Sequence, residues 1–151
     1  MITRLALFLT LNFGALYIGS YFTDASSSTW YENLNKAPWT PAGWVFGAAW
    51  TTIMICFSIY LAYLWPVVKN KSLLLFLFSI QWMLNVGWNP IFFYYNNILT
   101  GMLIITFLTM LVGFFLYHYW SDLKVKAVLI LPYFIWLLTA TSLNAYILFH
   151  N

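Results

Sequence analysis

Five long apolar stretches run along the chain, and polar or charged positions separate them. They cover about 5–22, 43–65, 73–94, 98–120 and 127–149, with a long polar first loop at 23–42. A helix needs about 20 apolar residues to cross the bilayer core, and each stretch is near that length. The run without Asp, Glu, Lys or Arg from Ser72 to Ser121 is too long for one helix, so the turn-forming pair Asn96-Asn97 divides it into two. Because the stretches lack period-2 alternation, the pattern predicts helices rather than barrel strands.

The pattern therefore predicts an all-α membrane protein, a five-transmembrane-helix bundle that forms a single domain over residues 1–151. The composition agrees, because 64% of the residues are hydrophobic and only 6% are charged. Soluble domains carry about 25% charged residues. The first stretch also has the form of a signal peptide opened by Arg4, but no small-residue cleavage site follows it. A net charge of +3 is too small to indicate a nucleic-acid partner.

The basic residues are distributed unevenly between the two sides of a five-span chain. One side carries Arg4, Lys69, Lys71, Lys124 and Lys126, and the other carries only Lys36. Cytoplasmic loops of membrane proteins are enriched in Lys and Arg. The N-terminus is therefore predicted to be cytoplasmic and the C-terminus to lie outside.

The predicted spans lack the side chains that several kinds of function require. No carboxylate, Lys or Arg lies in mid-span, although ion-coupled transporters normally keep one there. His118 and His150 lie near span ends without neighbouring ligand residues, so we predict no metal site and no bound cofactor. Cys56 is the single cysteine, which excludes an internal disulfide, and its expected role is packing.

Three of the predicted spans carry aromatic and amide side chains at helical spacing. These are Phe46, Trp50, Met54 (or Ile53) and Phe57 on the second, Gln81, Asn85, Trp88 and Phe92 on the third, and Trp136, Ala140, Leu143 or Asn144, and Ile147 on the fifth. One interpretation is ordinary helix packing, with the amides joining helices by hydrogen bonds. The other is an aromatic cavity with a few polar anchors, suited to a large, flat, apolar ligand. In both cases the amides should face the bundle interior, because lipid would not satisfy them.

Three motifs, in this order along the chain, resemble motifs of the TspO/MBR family (translocator protein, peripheral-type benzodiazepine receptor). Residues 30–46 read WYENLNKAPWTPAGWVF, residues 81–93 read QWMLNVGWNPIFF, and residues 132–144 read PYFIWLLTATSLN. The chain departs from the family pattern at Ala37 and Ala42, where proline is usual, at Met54, where tyrosine is usual, and at Phe57-Ser58. The basic residue that follows Tyr146 in the animal cholesterol motif is also missing, so cholesterol is not a predicted ligand.

The resemblance implies a five-helix bundle, often a homodimer in bacteria, with a pocket beneath the first loop. Family ligands are porphyrins such as protoporphyrin IX and synthetic benzodiazepine-site drugs. Indole and phenyl faces stack on such a macrocycle, Lys36 is suited to meet a propionate, and the absence of a central His favours a metal-free porphyrin. The motifs and helical faces together give the expected ligand-binding residues: Tyr31, Trp39, Phe46, Trp50, Met54, Gln81, Asn85, Trp88, Phe92, Trp136, Ala140, Leu143 and Asn144.

The leading functional expectation is a membrane receptor or regulator that binds porphyrin-type and benzodiazepine-site ligands. A second hypothesis is an enzyme that degrades protoporphyrin IX with light and oxygen, because Trp50 and Trp136 match the family tryptophans tied to that reaction. The simpler role for both tryptophans is stacking alone. The chain is also compatible with a porphyrin or lipid transporter, and with a structural subunit that has a packed aromatic core. The expected location is a bacterial cell membrane, with membrane lipid as surrounding partner.

Overall fold

The computed structural model describes the backbone of residues 1–26 and 28–151, and side chains outside 24–28. All regular secondary structure in these residues is helical. The α-helices are α1 (Ile2–Ser26), α2 (Ser28–Glu32), α3 (Gly43–Val67), α4 (Lys71–Asn89), α5 (Ile98–His118), α6 (Trp120–Leu123) and α7 (Leu131–His150). A π-helical turn, Pro90–Tyr94, extends α4, and a 3-10 helix, Lys124–Ile130, leads into α7.

The five long helices pack in a ring. Helix α1 lies between α3 and α4, α5 packs on α4 and α7, and α7 closes the ring against α3. A buried hydrogen bond of 2.8 Å from Asn12 Nδ2 to Ser58 Oγ joins α1 to α3. Such bonds stabilise helix pairs where lipid offers no competing partner.

One end of the ring is filled by a dense aromatic core. Phe57 lies at its centre and contacts the rings of Tyr60, Phe115 and Tyr133 at centroid distances of 6.0, 6.1 and 5.3 Å. The ring of Phe8 lies 6.3 Å from that of Trp65, which brings the start of α1 to the end of α3. At this end of the bundle, buried aromatic side chains therefore fill the space between α3, α5 and α7.

Four helical segments are long and apolar enough to cross a membrane: Ile2–Thr23, Gly43–Val67, Ile98–His118 and Trp120–His150. Helix α4 is not among them, because the amides of Gln81, Asn85 and Asn89 lower its mean hydropathy. The predicted all-helical class is confirmed, whereas the predicted count of five spans is not. The outer surface exposes large apolar side chains, Phe107 and Met110 among them, as expected of a surface that meets lipid.

The predicted first loop at 23–42 is helical over much of its first half. Helix α1 continues to Ser26, α2 covers Ser28–Glu32, and Ser27 lies outside the described residues. No proline or glycine occurs between Ser20 and Ala37, so nothing in this part of the sequence forces the helix to end. The irregular part is 33–42, which contains Pro38 and Pro41.

Two prolines change the helix type within the predicted third and fifth spans. Beyond Pro90 the backbone follows a π-helical path, in which Tyr95 N–H donates to the Pro90 carbonyl at 2.9 Å. Pro132 lacks the N–H that the Val128 carbonyl would accept in an α-helix, and Leu131 N–H donates to it instead. The segment before Pro132 is consequently a 3-10 helix, whereas the sequence predicted an α-helix from residue 127.

The predicted turn at Asn96-Asn97 has a clear geometric basis. Asn96 adopts the left-handed conformation, with φ of 52°, which asparagine tolerates better than most residues. The Asn97 side chain then accepts a hydrogen bond of 3.0 Å from Thr100 N–H and caps α5.

Candidate functional site: an aromatic and amide cluster

The first half of α3 faces α7 through four aromatic rings. Phe46 meets Trp136 edge to face at a centroid distance of 5.3 Å, and Trp50 meets Tyr133 at 6.1 Å. Phe46, Trp50 and Trp136 are partly buried, whereas Tyr133 is 1% exposed. The four rings form an indole and phenyl surface whose outer members remain partly accessible.

An amide connects α4 to this surface. Gln81 Nε2 donates to the Tyr133 hydroxyl at 2.8 Å, across the interior of the ring. Gln81 is 1% exposed, and Asn85, one turn later on the same face, is 7% exposed. Both amides are buried inside the bundle, as expected. On the outer surface, lipid would leave them without hydrogen-bond partners.

Three of the predicted site residues hold a buried polar atom without a hydrogen-bond partner among the described residues. These atoms are Gln81 Oε1, Trp88 Nε1 and Asn144 Oδ1. Asn144 does donate from Nδ2 to the Ala140 carbonyl at 2.9 Å, within its own helix. Most buried side-chain polar atoms in proteins have a partner, so three orphaned atoms on one set of side chains call for an explanation.

A second aromatic cluster lies where α4 ends. Trp88 stacks on Phe92 at 5.1 Å with an interplanar angle of 13°. Tyr31, from α2, meets Phe92 and Phe93 at 6.4 and 5.5 Å, and Trp30 meets Phe92 at 5.6 Å. Helix α2 is therefore held against the end of α4 by aromatic contacts.

The only basic residue of the first loop lies beside this second cluster. Lys36 Nζ lies 4.9 Å from the centroid of the Tyr31 ring, within the range of a cation–π interaction. Burial raises the pKa of the Tyr31 phenol above its usual range, so that side chain is neutral at physiological pH. The positive charge of Lys36 is thus presented next to uncharged aromatic rings.

The segment 33–42 is attached to the end of α7. Asn35 N–H donates to Asn151 Oδ1 at 2.8 Å, and Asn35 Nδ2 donates to the His150 carbonyl at 3.0 Å. Trp39 Nε1 donates to Ser142 Oγ at 3.2 Å, and its ring lies 5.4 Å from that of Tyr146. This part of the first loop thereby lies along α7 rather than projecting from the bundle.

The thirteen expected site residues do not all occupy one surface. Met54 is 1% exposed and belongs to the packed core, and Trp39 is 54% exposed and contacts α7 from the loop. Ala140, Leu143 and Asn144 are buried on α7. Each remains a predicted site residue, but Met54 reaches a ligand only if the surrounding core rearranges.

Sequence reasoning missed Tyr133 as a site residue. It joins the two helices by accepting from Gln81 and by contacting Trp50. Helical spacing was the signal that could have found it, because Tyr133 precedes Trp136 by three residues and therefore lies on the same helical face. The attachment of Asn35 to Asn151 carried no such signal, because no periodicity relates residues so far apart.

The arrangement suits recognition of a flat ligand by stacking and hydrogen bonding. Within the described residues, no group of three His, Cys, Asp or Glu side chains lies together, so they offer no clustered ligand set for a metal ion. The polar groups near the aromatic rings are amides, indole N–H groups and phenols, which orient a ligand without titrating at neutral pH.

Comparison with known proteins identifies the family. A family model described as the TspO/MBR family matches residues 6–150. The chain belongs to the TspO/MBR family. This confirms the resemblance carried by the three motifs, and together with the apolar helices it makes the chain a multi-pass membrane protein.

Relatives of this TspO/MBR chain occur in archaea, bacteria and animals. The tryptophan-rich protein TspO of Archaeoglobus fulgidus is 35% identical over 129 residues, covering 85% of this chain and 84% of the relative. The protein of the same name from Chlorobaculum tepidum is 32% identical over 150 residues, covering 97% and 95%. The human translocator protein is 27% identical over 132 residues, covering 85% and 78%.

Proposed function

We propose that this TspO/MBR protein is a membrane receptor or regulator that binds porphyrin-type and benzodiazepine-site ligands between its helices. The proposal rests on three of the four unpartnered buried atoms of the described side chains, Gln81 Oε1, Trp88 Nε1 and Asn144 Oδ1; the fourth, Tyr119 Oη, belongs to the packed core. They supply two acceptors and one donor among aromatic side chains. A tetrapyrrole offers N–H donors for the two acceptors, carboxylate acceptors for the donor, and a flat apolar face for the aromatic side chains.

The charge near Tyr31 supports a ligand that carries a carboxylate. Lys36 is the one basic residue of the segment 33–42, and its ammonium lies against the Tyr31 ring. A long lysine side chain covers apolar surface with its stem while its charged end stays accessible. Lys36 is accordingly proposed to pair with a propionate of the porphyrin.

We further propose that α4 crosses the membrane together with the four more apolar segments, giving five spans in a single domain. The polar side chains that lower its hydropathy include Gln81 and Asn85, which are buried, so lipid does not meet them. The basic side then faces the cytoplasm together with the N-terminus, and the C-terminus lies outside. We also propose that the protein lies in a bacterial cell membrane and forms a homodimer.

Binding is tested by titrating purified protein with protoporphyrin IX in the dark and following the porphyrin absorbance. Trp136→Phe and Asn144→Leu are expected to weaken binding, because the first reduces the stacking surface and the second removes an acceptor. Trp44→Phe is the matched control, since Trp44 is 77% exposed on the same helix as Trp50. Equal weakening by Trp44→Phe and Trp136→Phe would contradict the proposed site, and absence of binding to the unaltered protein would refute the proposed function.

The photo-oxidative hypothesis has one observation in its favour. Trp50, Tyr133 and Trp136, whose side chains are all oxidisable, lie on the same surface, with the rings of Trp50 and Tyr133 6.1 Å apart. We propose that Trp50 and Trp136 are the oxidisable groups in this reaction, with light and oxygen supplying the oxidation. Illuminating the porphyrin complex in air should yield a new absorbing product, and Trp50→Phe should reduce its yield more than it weakens dark binding. A receptor without this activity gives no product beyond that formed from free protoporphyrin IX under the same illumination.

A further inference from the structure

A separate pocket lies at the opposite end of α3 from the aromatic site. It has a cavity volume of about 320 Å³ and lies between the end of α3 and the segment that leads into α7. Its lining includes Tyr63, Val67, Asp122, Lys124 and Lys126. Tyr63 follows Trp50 by thirteen residues on α3, which is about 20 Å along a helix, so this pocket is distinct from the aromatic site.

Two lysines of this pocket give it a positive charge. Lys126 Nζ lies 4.1 Å from the centroid of the Tyr63 ring, which fixes one ammonium at the pocket wall. Lys124 and Lys126 outnumber the single carboxylate, Asp122, so the lining carries a net positive charge. Apolar side chains, Val67 among them, form another part of the lining, which makes the pocket amphipathic.

The rest of the same end of the bundle is also basic. Lys71 Nζ lies 5.7 Å from the ring of Trp65, which in turn contacts Phe8, four residues after Arg4. Lys69 lies between α3 and α4 at this end. No further acidic residue besides Asp122 lies in these connections, so the field around the pocket is positive as well.

The backbone at Lys124 is strained. Its φ of 51° and ψ of −127° lie in a region that side chains with a Cβ rarely adopt. Glycine would adopt this conformation without strain, so lysine at this position lowers the stability of the backbone. Such strain tends to occur at functional positions, and here it falls on one of the two lysines of the pocket.

We propose that this pocket binds the headgroup of an anionic membrane phospholipid. The phosphodiester lies between the ammonium groups of Lys124 and Lys126, and Asp122 accepts hydrogen bonds from headgroup hydroxyls such as those of phosphatidylglycerol. The apolar lining, including Val67 and Val125, meets the beginning of an acyl chain. The amphipathic lining and the net positive charge together favour a lipid over a free phosphate ion, which has no apolar part.

Native mass spectrometry of the intact protein in detergent tests this proposal. The protein is titrated with phosphatidylglycerol and with phosphatidylcholine of identical acyl chains. One lysine near a membrane surface changes anionic-lipid binding by about five-fold. Phosphatidylglycerol should therefore bind at least about five-fold more tightly, and Lys126→Gln should weaken its binding by about that factor. High salt should reduce the preference, because it screens exposed charges.

Two further variants separate the charge from its structural effects. Lys124→Gly removes a charge and relieves the strained backbone, so it should raise the melting temperature while it weakens phosphatidylglycerol binding. Lys36→Gln, at the other end of the bundle, is the matched control and should leave lipid binding unchanged. Equal affinities for the two lipids in the unaltered protein, or equal losses in Lys36→Gln and Lys126→Gln, would overturn the proposal.

Discussion

The attachment of the first loop to the end of α7 depends on a pair of asparagines. Asn35 N–H donates to Asn151 Oδ1 at 2.8 Å, and Asn151 Nδ2 donates to the Asn35 carbonyl at 3.3 Å. Asn151→Ala removes both bonds and leaves the bond from Asn35 Nδ2 to the His150 carbonyl in place. It also removes the bond from Asn151 Nδ2 to the Ile147 carbonyl, which does not involve the loop. We expect the loop to open more often in this variant while the helices remain packed, because both lost loop bonds lie at the exposed end of the chain.

The size of the effect follows from the number of bonds removed. A hydrogen bond at an exposed position contributes about 0.5–1 kcal/mol net, so two of them contribute about 1–2 kcal/mol to keeping the loop closed. Since about 1.4 kcal/mol corresponds to a tenfold change in an equilibrium constant, local opening should increase by about 5- to 30-fold. The overall melting temperature should change little, because Asn35 and Asn151 contribute nothing to the buried core.

The measurement is hydrogen exchange of the Trp39 indole N–H, followed by NMR with the protein in a lipid nanodisc, because this loop group donates to Ser142 Oγ and keeps its acceptor in Asn151→Ala. In Asn151→Ala this indole N–H should exchange faster by the factor given above. Asn97→Ala is a matched control, because it removes the single bond from Thr100 N–H that caps α5 and does not touch the loop. Unchanged exchange of the Trp39 indole N–H in Asn151→Ala, or an equal acceleration in Asn97→Ala, would show that the asparagine pair does not hold the loop.

Three substitutions inside the bundle test its packing and its polar contacts. Gly101→Ala would bring a Cβ to 2.9 Å from the Phe92 ring, so it should lower the melting temperature and disturb the second aromatic cluster, seen as altered near-UV circular dichroism. Tyr133→Phe removes the acceptor of the bond from Gln81 Nε2 and should destabilise the protein by about 1–3 kcal/mol in denaturant unfolding, because a buried donor loses its partner. Asn144→Leu removes an unpartnered buried oxygen, so thermal unfolding of the ligand-free protein should occur at an equal or higher temperature while dark porphyrin affinity falls. A lower melting temperature for Asn144→Leu, or none of these losses for the other two, would contradict the assigned contacts.

Much of the fold could be predicted because its main causes are local in sequence. The apolar runs require a membrane, and a single-chain segment in lipid satisfies its backbone hydrogen bonds as a helix. The turn at Asn96-Asn97 was predictable for the same reason, since asparagine tolerates the left-handed conformation found there. The helical part of the first loop, up to Glu32, was not predicted because polar composition was taken to end the helix, although no proline or glycine lies between Ser20 and Ala37.

The candidate site was predictable only in part. Helical spacing placed Gln81 and Asn85 on one inward face, and both are buried. Spacing along one helix does not specify which partner on another helix a side chain meets, so the bond from Gln81 to Tyr133 was not predicted. The same spacing grouped Met54 with Trp50, although Met54 lies in the packed core and Trp50 remains partly accessible.

The sequence by itself determined that this chain is a helical, multi-pass membrane protein of the TspO/MBR family, because hydropathy and motifs are properties of short segments. Only the tertiary structure decided the order of helices in the ring, the attachment of Asn35 to Asn151, and which buried polar atoms have partners. These features depend on contacts between residues far apart along the chain, and such contacts form when helices pack, through side-chain shape and hydrogen-bond geometry that no local pattern encodes.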